Sequence, residues 1–113
     1  VRVLLATHLL LWALGSPARL PAAARTILAE ADVYVSAASI WEVSIKSALG
    51  KLTADPEAVL RALEPAGFTP LPVSAAHAAG VARLRPLHRD PFDRLLVAQA
   101  LAEPMRLLTN DRA

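Results

Sequence analysis

Three acidic residues that lie far apart in the chain, Glu42, Asp93 and Asp111, stand out beside a basic stretch holding Arg83, Arg85, His88, Arg89 and Arg94. Carboxylates that converge on one point can hold a hard divalent cation such as Mg²⁺ or Mn²⁺. Such an ion polarises a phosphate oxygen and lowers the pKa of a bound water. Arginines add affinity for a phosphate backbone, which makes Arg85, Arg89 and Arg94 candidate phosphate-binding residues. Acids flanked by bases therefore suit phosphodiester chemistry. The chain has no cysteine, so disulfides and thiolate metal sites are excluded, and a metal has carboxylates, histidines and water for ligands.

Each acid also has a plainer explanation. Glu42 precedes Lys46 by one helical turn, and pairs with that spacing are usually solvated surface contacts worth a few tenths of a kcal/mol, roughly. Asp93 in the first turn of a helix would interact well with the positive end of the helix dipole. Asp90 is accounted for by capping, and Asp111 by an Asx turn or a cap. A metal-free mechanism on His8, His77 and His88 is the rival chemistry, but no mutual spacing singles these histidines out. Trp12 and Trp41 could stack on bases. Both fall on apolar helical faces, which favours packing in the core or at a subunit interface.

These residues need a scaffold, and the hydrophobic pattern supplies one. Val1 to Leu5 reads as a buried strand, and Leu9 to Leu14 as a helix closed by Gly15 and Pro17. Pro21 starts a helix that runs to about Ala31. Val33 to Val35 is a second strand, followed by Ser36 as the cap of a third helix that stops at Gly50. The three-and-four spacing puts Ala37, Ile40, Trp41, Ser44, Ile45, Ala48 and Leu49 on one face of that helix, with Glu42 and Lys46 off that stripe. Asp55 to Ala66 is a further helix, Phe68 to Val73 an extended segment, and Ser74 to Leu84 a helix. Asp90 and Pro91 open a last helix whose Leu95 to Ala102 stretch is buried, and Arg106 to Leu108 forms a strand leading to Asp111.

Strands alternating with helices predict an α/β fold with a central parallel sheet covered by helices on both faces, and sites beyond the carboxyl ends of its strands. A chain of 113 residues has room for one hydrophobic core and a single domain. The apolar run from Val3 to Leu14 has the look of a secretory signal, but no second start point for a domain of sensible size follows it. It is also shorter than the roughly 20 residues of a membrane span. A soluble, cytoplasmic protein is the expectation. The net charge of +2 is too small to identify a nucleic-acid binder, so local charge carries that argument.

Four stretches of the chain, in order, resemble the motifs of the PIN-domain toxins of bacterial toxin–antitoxin pairs, the VapC group. Leu4-Leu5-Ala6-Thr7-His8 is similar to the strand-one motif, in which the place held by Ala6 is normally an aspartate. Ser36-Ala37-Ala38-Ser39-Ile40-Trp41-Glu42 resembles the second motif, with Glu42 at its acidic position. His88-Arg89-Asp90-Pro91-Phe92-Asp93-Arg94-Leu95-Leu96 resembles the third, with Asp93 as the acid, and Leu108-Thr109-Asn110-Asp111 the fourth. Four motifs in order are far more specific than any one of them.

The resemblance implies a PIN-like three-layer α/β/α fold and an endoribonuclease dependent on Mg²⁺ or Mn²⁺, acting on a structured cellular RNA. It implies a homodimer and an inhibitory antitoxin partner of the VapB type. Glu42, Asp93 and Asp111 would be the metal and catalytic acids, with Asp111 in a supporting role and Thr7 near the metal. The family's usual chain continues past the position of Ala113, so a terminal strand and helix are expected to be missing from this sequence. Ala6 removes a charge and a ligand oxygen, which predicts an intact fold with impaired catalysis. The alternative is a non-catalytic protein of the same fold that holds RNA or an antitoxin without cutting.

Overall fold

The computed structural model describes residues 1–84 and 90–109. Its elements run β1 (Arg2–Leu5), α1 (Thr7–Gly15), α2 (Ala22–Glu30), β2 (Asp32–Ser36), α3 (Ala37–Ala48), α4 (Pro56–Ala62), β3 (Thr69–Leu71), α5 (Ala75–Gly80), α6 (Pro91–Ala102) and β4 (Arg106–Leu108), with short 3-10 turns at Pro17–Arg19 and Val81–Arg83. The four strands form one parallel sheet in the order β3-β2-β1-β4.

β1 lies inside this sheet, and its Val3, Leu4 and Leu5 are fully buried, as an apolar run covered on both faces should be. Leu5 shares one cluster with Val33, Val35, Leu9, Leu10, Val43, Val59 and Leu63, so α1, α3 and α4 cover that face. Leu4 points the other way, into a cluster with Leu96 and Ala100 of α6 and with Met105 just before β4. The result is the three-layer α/β/α arrangement expected from the sequence. The Val3 to Leu14 run is thus the middle of the sheet and the first helix. Among the described residues no helix is long and apolar enough to cross a membrane.

Helix starts follow local chemistry. The Ser36 hydroxyl accepts from the Ala38 N–H at 3.0 Å, Asp55 accepts from Glu57 at 3.1 Å, and Asp90 accepts from Phe92 at 2.9 Å. Gly50, with φ of +75°, provides the left-handed turn that ends the α3 segment. α4 is shorter than the predicted Asp55 to Ala66, because the chain turns after Leu63 and passes through Gly67 at φ of +81°. The predicted Ser74 to Leu84 helix is α5 continued by a 3-10 turn. β3 tolerates Pro70 because it is an edge strand.

Two expectations about faces are corrected. The side of α3 that goes inward carries Ala38, Ser39, Glu42 and Val43, while Ala37, Trp41, Ala48 and Leu49 are exposed and Ile40, Ser44 and Ile45 are only partly covered. The helix is rotated by about one residue from the apolar stripe, because its inward side meets the polar first turn of α1. Trp41 is consequently 58% exposed rather than in the core, with its ring edge-on to Phe92 at 5.2 Å between centroids. Trp12 does pack partly against the core, and the Arg19 guanidinium lies over its ring. In α6, Leu96 and Ala98 to Ala100 are buried, but Leu101 and Ala102 face outward.

Candidate active site

The sheet order reverses at β1, since β2 and β3 extend to one side of it and β4 to the other. In open parallel sheets this switch point leaves a crevice beyond the strand carboxyl ends. Ala6 follows β1 there, and its N–H donates to the Leu108 carbonyl at 3.0 Å. Ala6 is also the N-cap of α1, where its methyl group offers no capping oxygen. A cavity of about 180 Å³ opens at this point, lined by Ala6, Thr7, His8, Glu42, Asp90, Asp93 and Thr109. A larger groove of about 650 Å³ between α1 and α4 is lined by Trp12, Leu52 and Val59 and has Asp55 as its one acid among the described residues, already used as a helix cap. The smaller cavity gathers three acids, Glu42, Asp90 and Asp93.

Of the residues lining the cavity, Glu42 is the most deeply buried. Its side chain is almost completely buried, and each carboxylate oxygen has a partner. Oε1 lies 2.7 Å from the Thr7 hydroxyl, and Oε2 lies 2.5 Å from the Lys46 ammonium. Thr7 is also 3.0 Å from the Ser39 hydroxyl. An ionised carboxylate can only accept, so the Thr7 proton goes to Glu42 and Ser39 donates to Thr7. Thr7 comes from the first turn of α1, while Ser39 and Glu42 lie one turn apart on α3.

The Glu42–Lys46 pair is therefore not the solvated surface contact that its spacing suggests. Glu42 is 3% exposed as a residue, and the Lys46 side chain is 30% exposed. The hydrogen bond that Lys46 donates to Glu42 raises the Lys46 pKa above its ordinary 10.5, against the opposing effect of burial. The charges of Glu42, Asp90 and Asp93 raise it further. Lys46 thus sits in the field of all three acids that line the cavity.

Asp93 stands in the first turn of α6 and lines the cavity. Asp90 caps α6 and lines the cavity as well, a position that capping alone does not predict. Arg94 donates to the Val81 carbonyl at 3.1 Å, tying α6 to the preceding 3-10 turn. Asp111, Arg85, His88 and Arg89 lie outside the described residues. His77 is away from the site: it is buried in a capping box with Ser74 and lies 2.7 Å from Glu103, as a scaffold residue. Exposed His8 borders the cavity.

Ser39, Lys46, Asp90 and Thr109 are site neighbours that residue types alone did not bring forward. Helical spacing from Glu42 could have found Ser39 and Lys46, one turn to either side. The donor set has the hard oxygens that a divalent ion prefers. Yet among the described residues no three of His, Asp and Glu are grouped so that they could hold a metal. Ala6 contributes no oxygen, and both oxygens of Glu42 already have partners. The described residues do not amount to a metal cage.

Comparison with known proteins agrees with this architecture. A search of curated proteins returned no match. The structure is similar to a solved VapBC2 complex from Rickettsia felis bound to a promoter DNA fragment, with a TM-score of 0.68 at 18% identity over 98% of this chain and 89% of that one. It is similar also to a toxin–antitoxin complex from Klebsiella pneumoniae, with a TM-score of 0.65 at 18% identity over 96% and 86% of the two chains. The profile of the PIN domain matches residues 3–113. With the profile spanning nearly the whole chain and the acids gathered beyond β1 and β4, this chain belongs to the PIN-domain family.

Proposed function

We propose that this chain is a VapC-type toxin whose site is that of an endoribonuclease, hydrolysing RNA phosphodiester bonds with Mg²⁺ or Mn²⁺, and that Ala6 weakens it. The observation that carries this reading is the convergence of Thr7, Glu42 and Asp93 with Ala6 on one small cavity at the sheet's switch point. Their origins in separate elements argue for selection on the site, because capping or surface pairing of each acid does not require them to meet. Asp111 would complete the acid set from the segment after β4. A divalent ion, when bound, would supply charge for the scissile phosphate and an activated water. The chain's own residues do the rest: Thr7 and Ser39 fix the orientation of Glu42, and α6 brings Asp93 to the same cavity.

The remaining expectations belong to the same reading. A VapB-type antitoxin is the proposed partner, supported by the likeness of the fold to chains from solved toxin–antitoxin complexes. A homodimer, a cytoplasmic location and RNA contacts through Arg85, Arg89 and Arg94 are proposed with it. A non-catalytic binder of the same fold is the second reading, favoured by Ala6 and by the absence of a metal-holding group among the described residues.

Cleavage of total cellular RNA by the chain and by its Ala6→Asp variant, with Mg²⁺ or Mn²⁺ and with chelator, tests the proposal. Cleavage that appears with Ala6→Asp and needs the metal supports the ribonuclease. Folded proteins that both bind RNA and never cut it favour the binder.

A further inference from the structure

We infer that the exposed ring of Trp41, held by Phe92, is the surface on which a base of a bound RNA strand stacks beside the cavity, so that Trp41 is a recognition residue of this site. The inference rests on the nuclease reading for the class of ligand. It goes beyond that reading by naming what holds a base, where the acids and arginines address only the phosphate backbone.

Trp41 and Phe92 each immediately precede an acid that lines the cavity, Glu42 and Asp93 respectively. Successive residues of a helix project roughly 100° apart, so the two rings stand beside the cavity that the acids line. They come from α3 and α6 and meet with 5.2 Å between centroids and 72° between planes. An edge-to-face contact of this kind fixes the two rings against each other. The Phe92 backbone is held in turn by its N–H bond to Asp90 at 2.9 Å. Trp41 nevertheless keeps 58% of its surface open, which leaves much of the indole for a further partner. The other tryptophan differs: Trp12 packs partly against the core, with the Arg19 guanidinium 4.8 Å over its ring.

The surroundings favour a base as that partner. Trp41 does not belong to a continuous exposed apolar face, because Ser44 and Ile45, next along its side of α3, are partly covered. The next exposed apolar residues on the helix, Ala48 and Leu49, lie about two turns further on. A stable contact with a second copy of the chain needs a far broader patch than one ring. A base needs only the ring, and stacking accepts any base because each has a π face. Single-stranded RNA is bound in this way, with unstacked bases laid on aromatic side chains. A phosphate at the cavity carries its base on the adjoining ribose, within reach of rings whose chain neighbours line that cavity.

The chain has two tryptophans, so labelling with fluorotryptophan gives two ¹⁹F signals, which Trp41→Phe assigns. A short single-stranded RNA and an abasic strand of the same length and charge are titrated into the parent, Trp41→Phe and Trp41→Ala. Low salt preserves the phosphate contacts, chelator keeps divalent ions out of the test, and affinity is read from the anisotropy of a dye on the strand. The expected result is a Trp41 signal that shifts on RNA binding while the Trp12 signal stays. Trp41→Ala should bind the RNA about fivefold or more weakly, Trp41→Phe should lose less, and neither should change binding of the abasic strand. Equal affinity of the parent for the two strands overturns the stacking without recourse to any variant. Equal RNA affinity of the parent and folded Trp41→Ala overturns it as well, and both outcomes leave the nuclease reading standing. A Trp41 signal that moves with protein concentration in the absence of RNA, with dimers in sedimentation that Trp41→Ala dissociates, gives the ring to a second copy and overturns the inference. Failure of the folded parent to bind either strand also overturns it, whereas the nuclease reading falls only if Ala6→Asp cuts no RNA with metal.

Discussion

The Thr7 hydroxyl lies 2.7 Å from Glu42 Oε1, although 35 positions separate the two residues. This contact joins the first turn of α1 to the middle of α3 at the carboxyl end of β1. It turns Glu42 from a helix-surface acid into a buried and oriented one. Thr7→Val should remove the donor at nearly constant shape and leave the carboxylate one partner short. Urea unfolding is expected to show a loss of about 1–3 kcal/mol, with Thr7→Ser losing much less. Equal losses in the two variants would mean that the methyl group, and not the hydroxyl, matters.

Ala6→Asp should do two things at once. It offers a side-chain oxygen to the uncapped first turn of α1, and it adds a charge beside Glu42, Asp90 and Asp93. The cap and the repulsion oppose each other without metal. With Mn²⁺ the repulsion is relieved, so the variant's melting temperature should rise by several degrees, roughly, while the parent moves less. Differential scanning calorimetry in Mn²⁺ and in chelator measures this directly.

The Lys46–Glu42 pair predicts a signature at alkaline pH. The pKa of Lys46 in the folded protein lies above its ordinary 10.5, raised first by the hydrogen bond to Glu42. Its stabilising contribution is therefore complete below 10.5 and is lost as the pH climbs through the higher folded value. The stability difference between the parent and Lys46→Met should stay constant from neutral pH to about 10.5 and shrink above it. A difference that stays unchanged as the pH climbs well above 10.5 would contradict this assignment.

The rotation of α3 can be checked by two truncations. Val43 is fully buried, whereas Trp41 is 58% exposed. Val43→Ala should lose about 2–3 kcal/mol, and Trp41→Ala about 1 kcal/mol or less from the edge-on contact with Phe92. A larger loss from Trp41 than from Val43 in chemical denaturation would restore the apolar stripe as the inward face, or place Trp41 in a subunit interface.

His77 makes a structural prediction independent of the site. Its Nδ1 accepts from the Ser74 N–H at 3.0 Å, so the proton sits on Nε2, which donates to Glu103. The ring thus closes the capping box of α5 and ties that helix to the end of α6. His77→Ala should cost about 2–3 kcal/mol through the lost cap and the buried gap. NMR of the imidazole nitrogens in the parent should show the Nε2–H tautomer at neutral pH.

Local chemistry in the sequence determined much of this protein. The caps Ser36, Asp55 and Asp90, the stop at Gly50 and the apolar runs of β1 and β2 each act over a few residues, so the alternation of strands and helices and the parallel sheet were legible without coordinates. The motif order also brought out Ala6, Glu42 and Asp93 as positions to look at. What only the tertiary structure decided is which way α3 faces. Periodicity assigns the apolar side inward, but here the inward side carries Ser39 and Glu42, because the partner surface is the polar start of α1. The Thr7–Glu42 contact, the burial of the Lys46 pair and the meeting of Asp90 and Asp93 with Ala6 depend on the β3-β2-β1-β4 order. No short-range pattern encodes that order, since it is set by the summed packing of helices on both faces of the sheet.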